Sequence, residues 1–238
     1  MAHRALSAVA VALVLAATRT AGAAPPDPQL LERLSHCEQD LELAARRLSF
    51  RAEEVVQKVD GDGKVSSTKT TRYRVESDGK SPHKIVETAV EDGQDVTAEE
   101  QEKVRSKEAE RASKKPGEDK PVWPFAPGSE ARYTYDQVDV DPAHPAYVEI
   151  AFVPKHPDSH TFEGKAWVDT DGARILSASV RLSKPPGLVD WVHLTAQFDT
   201  TPVGLALSHL TFEGAGGLLF FHKHFRGEIK MSDWRLAP

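Results

Sequence analysis

The chain has 238 residues, 39% of them hydrophobic and 28% charged, which allows one all-β domain or two small domains with an ordinary apolar core. Its formal net charge of −6 and the lack of a basic stripe argue against nucleic acid as a partner. The single cysteine, Cys37, excludes an internal disulfide, and we interpret it as a part-buried helix thiol.

Residues 1–23 differ in composition from the rest of the chain. His3 and Arg4 give a basic start, an apolar run follows from Ala5 to Ala17, and Ala21-Gly22-Ala23 comes next. This order predicts a secretory signal peptide that is cleaved near Ala23, and therefore a periplasmic protein. A transmembrane anchor is the alternative, but a run of about 13 apolar residues is too short to span a bilayer.

The mature chain, residues 24–238, is expected to form one domain that begins with a helix. Apolar residues recur at three- and four-residue spacing over Gln29–Arg47, which predicts an amphipathic helix that covers an open side of a sheet. Strands are predicted at Leu48–Asp60, Lys64–Ser77 and Lys84–Glu91. The Asp60–Gly63 turn lacks the later ligands of a calcium loop and is interpreted as a hairpin turn.

Residues 94–127 are predicted to form a helical lid or loop insertion. A capping box and many charge pairs at helical spacing indicate a helix over Thr97–Lys115. It has few apolar residues, so it is either a solvated bridging helix or a mobile lid. In the Pro121–Pro127 loop that follows, Trp123 and Phe125 either plug the core or line a cavity.

From Ala131 onward, predicted strands follow each other at hairpin spacing without intervening helices, which indicates an antiparallel meander. Their ranges are Ala131–Val140, Ala146–Pro154, His160–Asp169, Arg174–Ser183, Asp190–Asp199, Val203–Glu213 and Leu218–Trp234. The Phe162–Leu182 hairpin is expected at the centre, and an even-numbered loop would place Trp167 opposite Leu176 on the apolar face. About ten strands in all predict a mainly β fold: a single large antiparallel sheet, curled into an unclosed half-barrel and capped by the two helices.

The sequence carries no recognisable catalytic motif, so we expect neither an enzyme nor a cofactor. His222 and His224 share one face of a strand, and His209 on a neighbouring strand could join them, but as metal ligands they are only weak candidates. Asp169 and Asp171 are better explained as turn residues than as an acid–base pair.

Three stretches resemble the LolA-like periplasmic lipoprotein-carrier superfamily, which includes LolB and RseB. They are G-K-A-W-V-D-T-D-G-A-R-I-L at Gly164–Leu176, K-M-S-D-W-R at Lys230–Arg235, and E-D-G-Q-D-V-T-A-E-E-Q-E-K at Glu91–Lys103. The resemblance implies an unclosed β-barrel capped by helices, with an apolar cavity for acyl chains. It also implies a carrier for lipoprotein acyl chains or another lipid-like ligand, with an envelope membrane protein as a possible partner.

The apolar inner strand faces and the aromatic residues, Trp191 included, favour a carrier of such a ligand. A monomer is expected. The expected ligand-binding residues are Trp123, Phe125, Ile150, Phe152, Trp167, Leu176, Val180, Leu194 and Phe198. The alternative is a structural or envelope-sensing module whose inner face is filled by its own helices.

Overall fold

A computed structural model describes residues 24–79, 81–113, 122–218 and 221–237, without the side chains of residues 111–113, 218, 221 and 222. The predicted signal peptide, residues 1–23, lies outside the described residues. Within these residues the α-helices are α1 (Pro28–Ala45) and α2 (Thr97–Ser113), and Ser129–Ala131 forms one turn of 3-10 helix. The strands are β1 (Leu48–Val59), β2 (Val65–Ser77), β3 (Pro82–Glu91), β4 (Gln94–Asp95), β5 (Tyr133–Val140), β6 (Tyr147–Pro154), β7 (Phe162–Asp169), β8 (Arg174–Leu182), β9 (Val189–Thr201), β10 (Gly204–Leu218) and β11 (Phe221–Leu236).

All these strands form one antiparallel sheet that is not closed. Their order is β4-β3-β2-β1-β11-β10-β9-β8-β7-β6-β5. The last strand returns to pair with the first, with Val56 opposite Gly227 and Leu48 opposite Leu236. The predicted fold class is confirmed, and the predicted strand ranges differ from the observed ones mainly at their ends.

Both helices pack on the same face of the sheet, which we call the inner face. Leu30 and Leu34 of α1 belong to one buried cluster with Ile150 of β6. On the other side, Lys69 of β2 forms a 2.9 Å ion pair with Glu100 of α2. The strand pairings from β6 through β2 place Ile150 and Lys69 on the same face, because side chains that lie directly opposite on adjacent strands point the same way.

The main core lies between α1 and strands β5–β8. Pro28 occupies the first turn of α1, and the Asp27 carboxylate caps the helix by accepting from the Gln29 amide at 2.9 Å. Burial of the Leu30 and Leu34 side chains then holds the helix on the sheet, since most of the stability of a helix in a protein comes from packing of its apolar face. The buried cluster consists of Leu30, Leu34, Phe125, Tyr133, Val148, Ile150, Phe152, Phe162, Ala166, Val168, Ala173, Ile175 and Val180.

Helix α2 packs on β3 mainly through polar contacts. The Thr97 hydroxyl accepts from the Ala89 amide at 2.9 Å, and the Gln101 side chain donates to the Val86 carbonyl at 3.1 Å. Val104, a half-buried side chain of the helix, lines a small gap of about 190 Å³ between α2 and β3. The helix is therefore attached to the sheet with little apolar burial.

The β7–β8 hairpin differs from the expected register. Asp169 pairs with Arg174 across a four-residue loop, but Trp167 lies opposite Ser177 and not opposite Leu176. A β-bulge at Leu176 inserts one unpaired residue, so Ile175 takes the buried position next to Val168. Trp167 is half-buried and lies outside the core cluster.

No helix among the described residues is long and apolar enough to cross a membrane.

Candidate functional site

Four of the predicted ligand-binding residues are sealed in the core under α1. Phe125, Ile150, Phe152 and Val180 are each at most 5% exposed. Phe125 plugs this core: its ring packs edge-on against Phe152, with 5.6 Å between ring centroids. These side chains are thus packed against the protein's own helix and loop, and their role as ligand-binding residues stays a prediction.

The other predicted residues lie around the core. Trp123 is 41% exposed, and its ring stacks on Phe162 at 4.8 Å. Leu194 and Phe198 are partly buried at the margin of the cluster, whereas Trp167 and Leu176 are not part of it. Of the predicted set, Leu194 and Phe198 are thus the residues that face the open part of the inner side.

That open part is a band of half-buried apolar side chains on β9, β10, β11 and β1, between the two helices. Leu194 lies opposite Phe212, and Ala196 lies opposite Leu210, which in turn lies opposite Ile229. The strand register places the following residues on one face, and we call them the apolar band: Val56, Leu194, Ala196, Phe198, Leu210, Phe212, Phe225, Ile229 and Met231.

Sequence reasoning missed most of this band. Two alternating sets in the sequence indicate it: Leu210, Phe212 and Gly214 on β10, and Phe225, Gly227 and Ile229 on β11. Each set contains a glycine, which supplies no hydrophobic side chain and therefore weakens the apolar alternation.

The inner face becomes charged beyond β1. Lys58 forms a 2.6 Å ion pair with Glu91, and Lys84 forms a 3.3 Å ion pair with Glu54. The hydrogen bond from Lys58 lowers the pKa of the Glu91 carboxyl. The apolar band is therefore bounded on the α2 side by fixed ion pairs.

The opposite face of the same central strands is polar. It contains a depression of about 390 Å³, lined by Val55, Gln57, His193, Thr195, Thr211, Phe212, Glu213, Arg226, Gly227 and Glu228. His209 lies 3.2 Å from Glu228, and His224 lies 2.9 Å from Glu213. Two of the weak metal candidates thus each contact a carboxylate, while the side chain of the third, His222, lies outside the described residues. Within the described ranges, no group of three or more His, Cys, Asp or Glu side chains could hold a metal ion.

Asp169 and Asp171 serve the β7–β8 turn. The Asp169 carboxylate accepts from the Asp171 and Gly172 amides at 3.0 and 3.2 Å, and it pairs with Arg174 at 2.7 Å. The Arg174 hydrogen bond lowers the pKa of Asp169. This arrangement explains the pair as turn chemistry.

No protein-family model matches the chain, and no curated protein matches it either. Solved structures similar to it include a DUF1329 family protein from Desulfovibrio piger, 11% identical, with 90% of this chain and 94% of that one covered and a TM-score of 0.42. A putative outer membrane lipoprotein-sorting protein domain from Vibrio parahaemolyticus is 14% identical over 87% and 93% of the two chains, with a TM-score of 0.40. A LolA superfamily protein from Nitrosomonas europaea is 13% identical over 84% and 93%, with a TM-score of 0.33.

The TM-scores lie below 0.5, so the description of the fold rests on the strand order and register of this chain and not on those relatives.

Proposed function

We propose that this protein is an exported, non-catalytic binding protein that holds the acyl chains of a lipoprotein, or another amphipathic ligand, on its apolar band. Its place of action would be the periplasm, as the signal-peptide pattern of residues 1–23 suggests. The sequence resemblance to the LolA-like carriers supports the same class of ligand.

One observation carries the proposal: the apolar band stays half-buried although both helices pack on the same face. A single-sheet protein that needed only a core would cover these side chains, since exposed apolar surface costs about 25 cal/mol per Å². A contiguous, partly exposed apolar surface commonly marks a binding site. Phe212, Phe225 and Ile229 lie at its centre.

The border of the band fits an amphipathic ligand better than a purely apolar one. Val56 is the band residue on β1, and Lys69 lies opposite it on β2 in an ion pair with Glu100. An acyl chain on β9–β11 would leave its polar end close to these charges.

The rival interpretation, a structural or envelope-sensing module, also has support from the structure. The side chains of Phe125, Ile150 and Phe152 are packed against α1, so half of the inner face is filled by the protein itself. The two functions differ in whether the apolar band binds a ligand: a carrier requires it, and a structural or sensing module does not.

Binding of cis-parinaric acid, a fluorescent fatty acid, tests the proposal. We expect saturable binding by the mature protein, weakened about tenfold by Ile229→Asn, because the variant places an amide against the acyl chain. Val153→Asn is the matched control, since Val153 is also a strand residue but lies outside the band and is 49% exposed. Absence of saturable binding, or equal weakening by both variants, would reject the carrier.

A further inference from the structure

The polar depression lies on the outer face of the sheet, opposite the inner face, and we call it the outer depression. Thr195 of β9 and Thr211 of β10 lie directly opposite each other in it. Two residues farther along these strands, His193 lies opposite Glu213, which is also opposite Arg226 of β11. Alternate residues of a strand share a face, so all five side chains lie on the outer face. Short threonines beside longer side chains account for a hollow of about 390 Å³.

Two hydrogen bonds hold side chains of the outer depression in place. Arg226 donates through Nε to the Gln57 side chain at 2.9 Å. His224 Nε2 lies 2.9 Å from the Glu213 carboxylate. Side chains that are already held lose less rotational freedom when a ligand binds. The outer depression is therefore partly pre-organised.

The charges of the outer depression balance each other. Glu213 lies opposite Arg226. Glu228 accepts from Lys230 at 3.0 Å and contacts His209 at 3.2 Å. Two carboxylates thus face two cationic side chains, so the surface does not favour an anion over a cation. Arginine donates hydrogen bonds, carboxylates accept them and threonine hydroxyls do both, which fits a neutral ligand with many hydroxyl groups.

An exposed tryptophan adjoins the outer depression on the same face. Trp191 lies two residues before His193 on β9, about 7 Å along the strand, and is 40% exposed. Ala215 of β10 lies opposite Trp191, and the ring of His224, the next residue across the sheet, lies 5.6 Å from the indole. The exposed indole offers a rigid, flat apolar surface, against which the C–H face of a sugar ring can stack.

We propose that the outer depression, with Trp191 beside it, binds a neutral oligosaccharide. One sugar ring would stack on Trp191, and hydroxyl groups of the next would bond with Glu213, Arg226 and Thr211. The volume of the depression lies within the range of about 300–1,000 Å³ that is usual for ligand pockets. An anion would be repelled by Glu213 and Glu228, and an acyl chain would leave the polar side chains without partners. The site lies on the face opposite the apolar band, so it does not depend on lipid binding there.

Isothermal titration calorimetry of the mature protein with maltotetraose, cellotetraose and tetra-N-acetylchitotetraose tests this site. We expect at least one of these neutral oligosaccharides to bind with a Kd below about 1 mM. Trp191→Ala should weaken that binding about tenfold, whereas Trp191→Phe, which keeps an aromatic ring, should weaken it about threefold or less. Thr211→Val should weaken it about fivefold, because the variant keeps the size of the side chain and removes the hydroxyl.

Thr88→Val is the matched control, since Thr88 is an exposed threonine of β3, a strand that does not border the outer depression. This variant should bind the oligosaccharide as the unchanged protein does. Thermal melting shows whether each variant folds, and Thr211→Val decides if Trp191→Ala melts at a lower temperature. The proposal is overturned if none of the three oligosaccharides binds, if Trp191→Ala or Thr211→Val binds normally, or if Thr88→Val weakens binding equally. Displacement of the oligosaccharide by inorganic phosphate at constant ionic strength would also overturn it, in favour of an anion site.

Discussion

The ring of Phe212 occupies the space that a side chain at Gly227 would need. The two residues lie directly opposite each other on β10 and β11, and a Cβ atom at position 227 would come within 2.5 Å of the Phe212 ring. In the next pair on this face the glycine is on β10 and the phenylalanine is on β11: a Cβ atom at Gly214 would come within 2.7 Å of the Phe225 ring. Glycine thus lets both rings lie across the neighbouring strand, which forms the centre of the apolar band.

Gly227→Ala is expected to destabilise the protein by about 1–3 kcal/mol, because the added methyl group must displace the Phe212 ring and also approaches the Val55 carbonyl at 2.4 Å. Urea unfolding measures the effect. Gly187→Ala serves as the control, since a Cβ atom there would meet nothing within 4 Å. A Gly227→Ala variant as stable as this control would show that Phe212 moves aside freely.

Trp167→Ala should destabilise less than a core substitution of similar size. Trp167 is half-buried outside the core cluster, whereas Phe152 is 1% exposed within it. We expect Phe152→Ala to cost about 3–5 kcal/mol and Trp167→Ala clearly less. Thermal or urea unfolding of the two variants compares them directly. Equal losses would place Trp167 in the core.

The Asp169–Arg174 contact predicts an acid-sensitive turn. The pKa of Asp169 is lowered in the folded protein, chiefly by the Arg174 hydrogen bond, relative to about 3.9 in the unfolded chain. The ionised Asp169 carboxylate therefore stabilises the folded protein fully above about pH 4, and this stabilisation is lost as the pH falls through the lower pKa of the folded state. Asp169→Asn should cost about 1–3 kcal/mol at pH 7 and less at pH 3.

Urea unfolding at both pH values, with Asp171→Asn as an exposed control in the same turn, checks this dependence. Asp169→Asn is compared with the unchanged protein by the loss in free energy of unfolding at each pH. If that loss is the same at pH 7 and pH 3, the charge of Asp169 is not its cause.

The sequence allowed much of the sheet to be predicted, but less of the candidate site. The alternation in β9 identified Leu194 and Phe198, because a period of two shows which side chains share a face. Phe212 was missed because Gly214, the next position on the same face of β10, supplies no apolar side chain to the alternation. The bulge at Leu176 could not be predicted, since an inserted residue changes the register without a local signature.

Helix α2 and the loop that follows it are anchored differently. The helix contacts β3 through Gln101 and Thr97 with little apolar burial, so its docking contributes only a few kcal/mol before the entropy of ordering is subtracted. In contrast, Phe125 of the loop is 4% exposed, and the Tyr133 hydroxyl donates to the Val122 carbonyl at 2.8 Å. The predicted lid, residues 94–127, thus contains a weakly held helix and a firmly packed loop.

We therefore expect α2 to open far more readily than the sheet, while the loop around Phe125 stays in place. Hydrogen exchange should show fast exchange at the amides of Thr97–Ser113 and slow exchange over Arg174–Leu182, an interior strand paired on both sides. The amide of Ser129, bonded to the Ala126 carbonyl at 2.9 Å, should behave like the strand. If α2 gates the apolar band, cis-parinaric acid should slow exchange in the helix and leave Ser129 unchanged. Exchange in α2 as slow as in the strand, with no response to the fatty acid, would mean that the helix is a rigid cap and that a ligand must reach the band by another route.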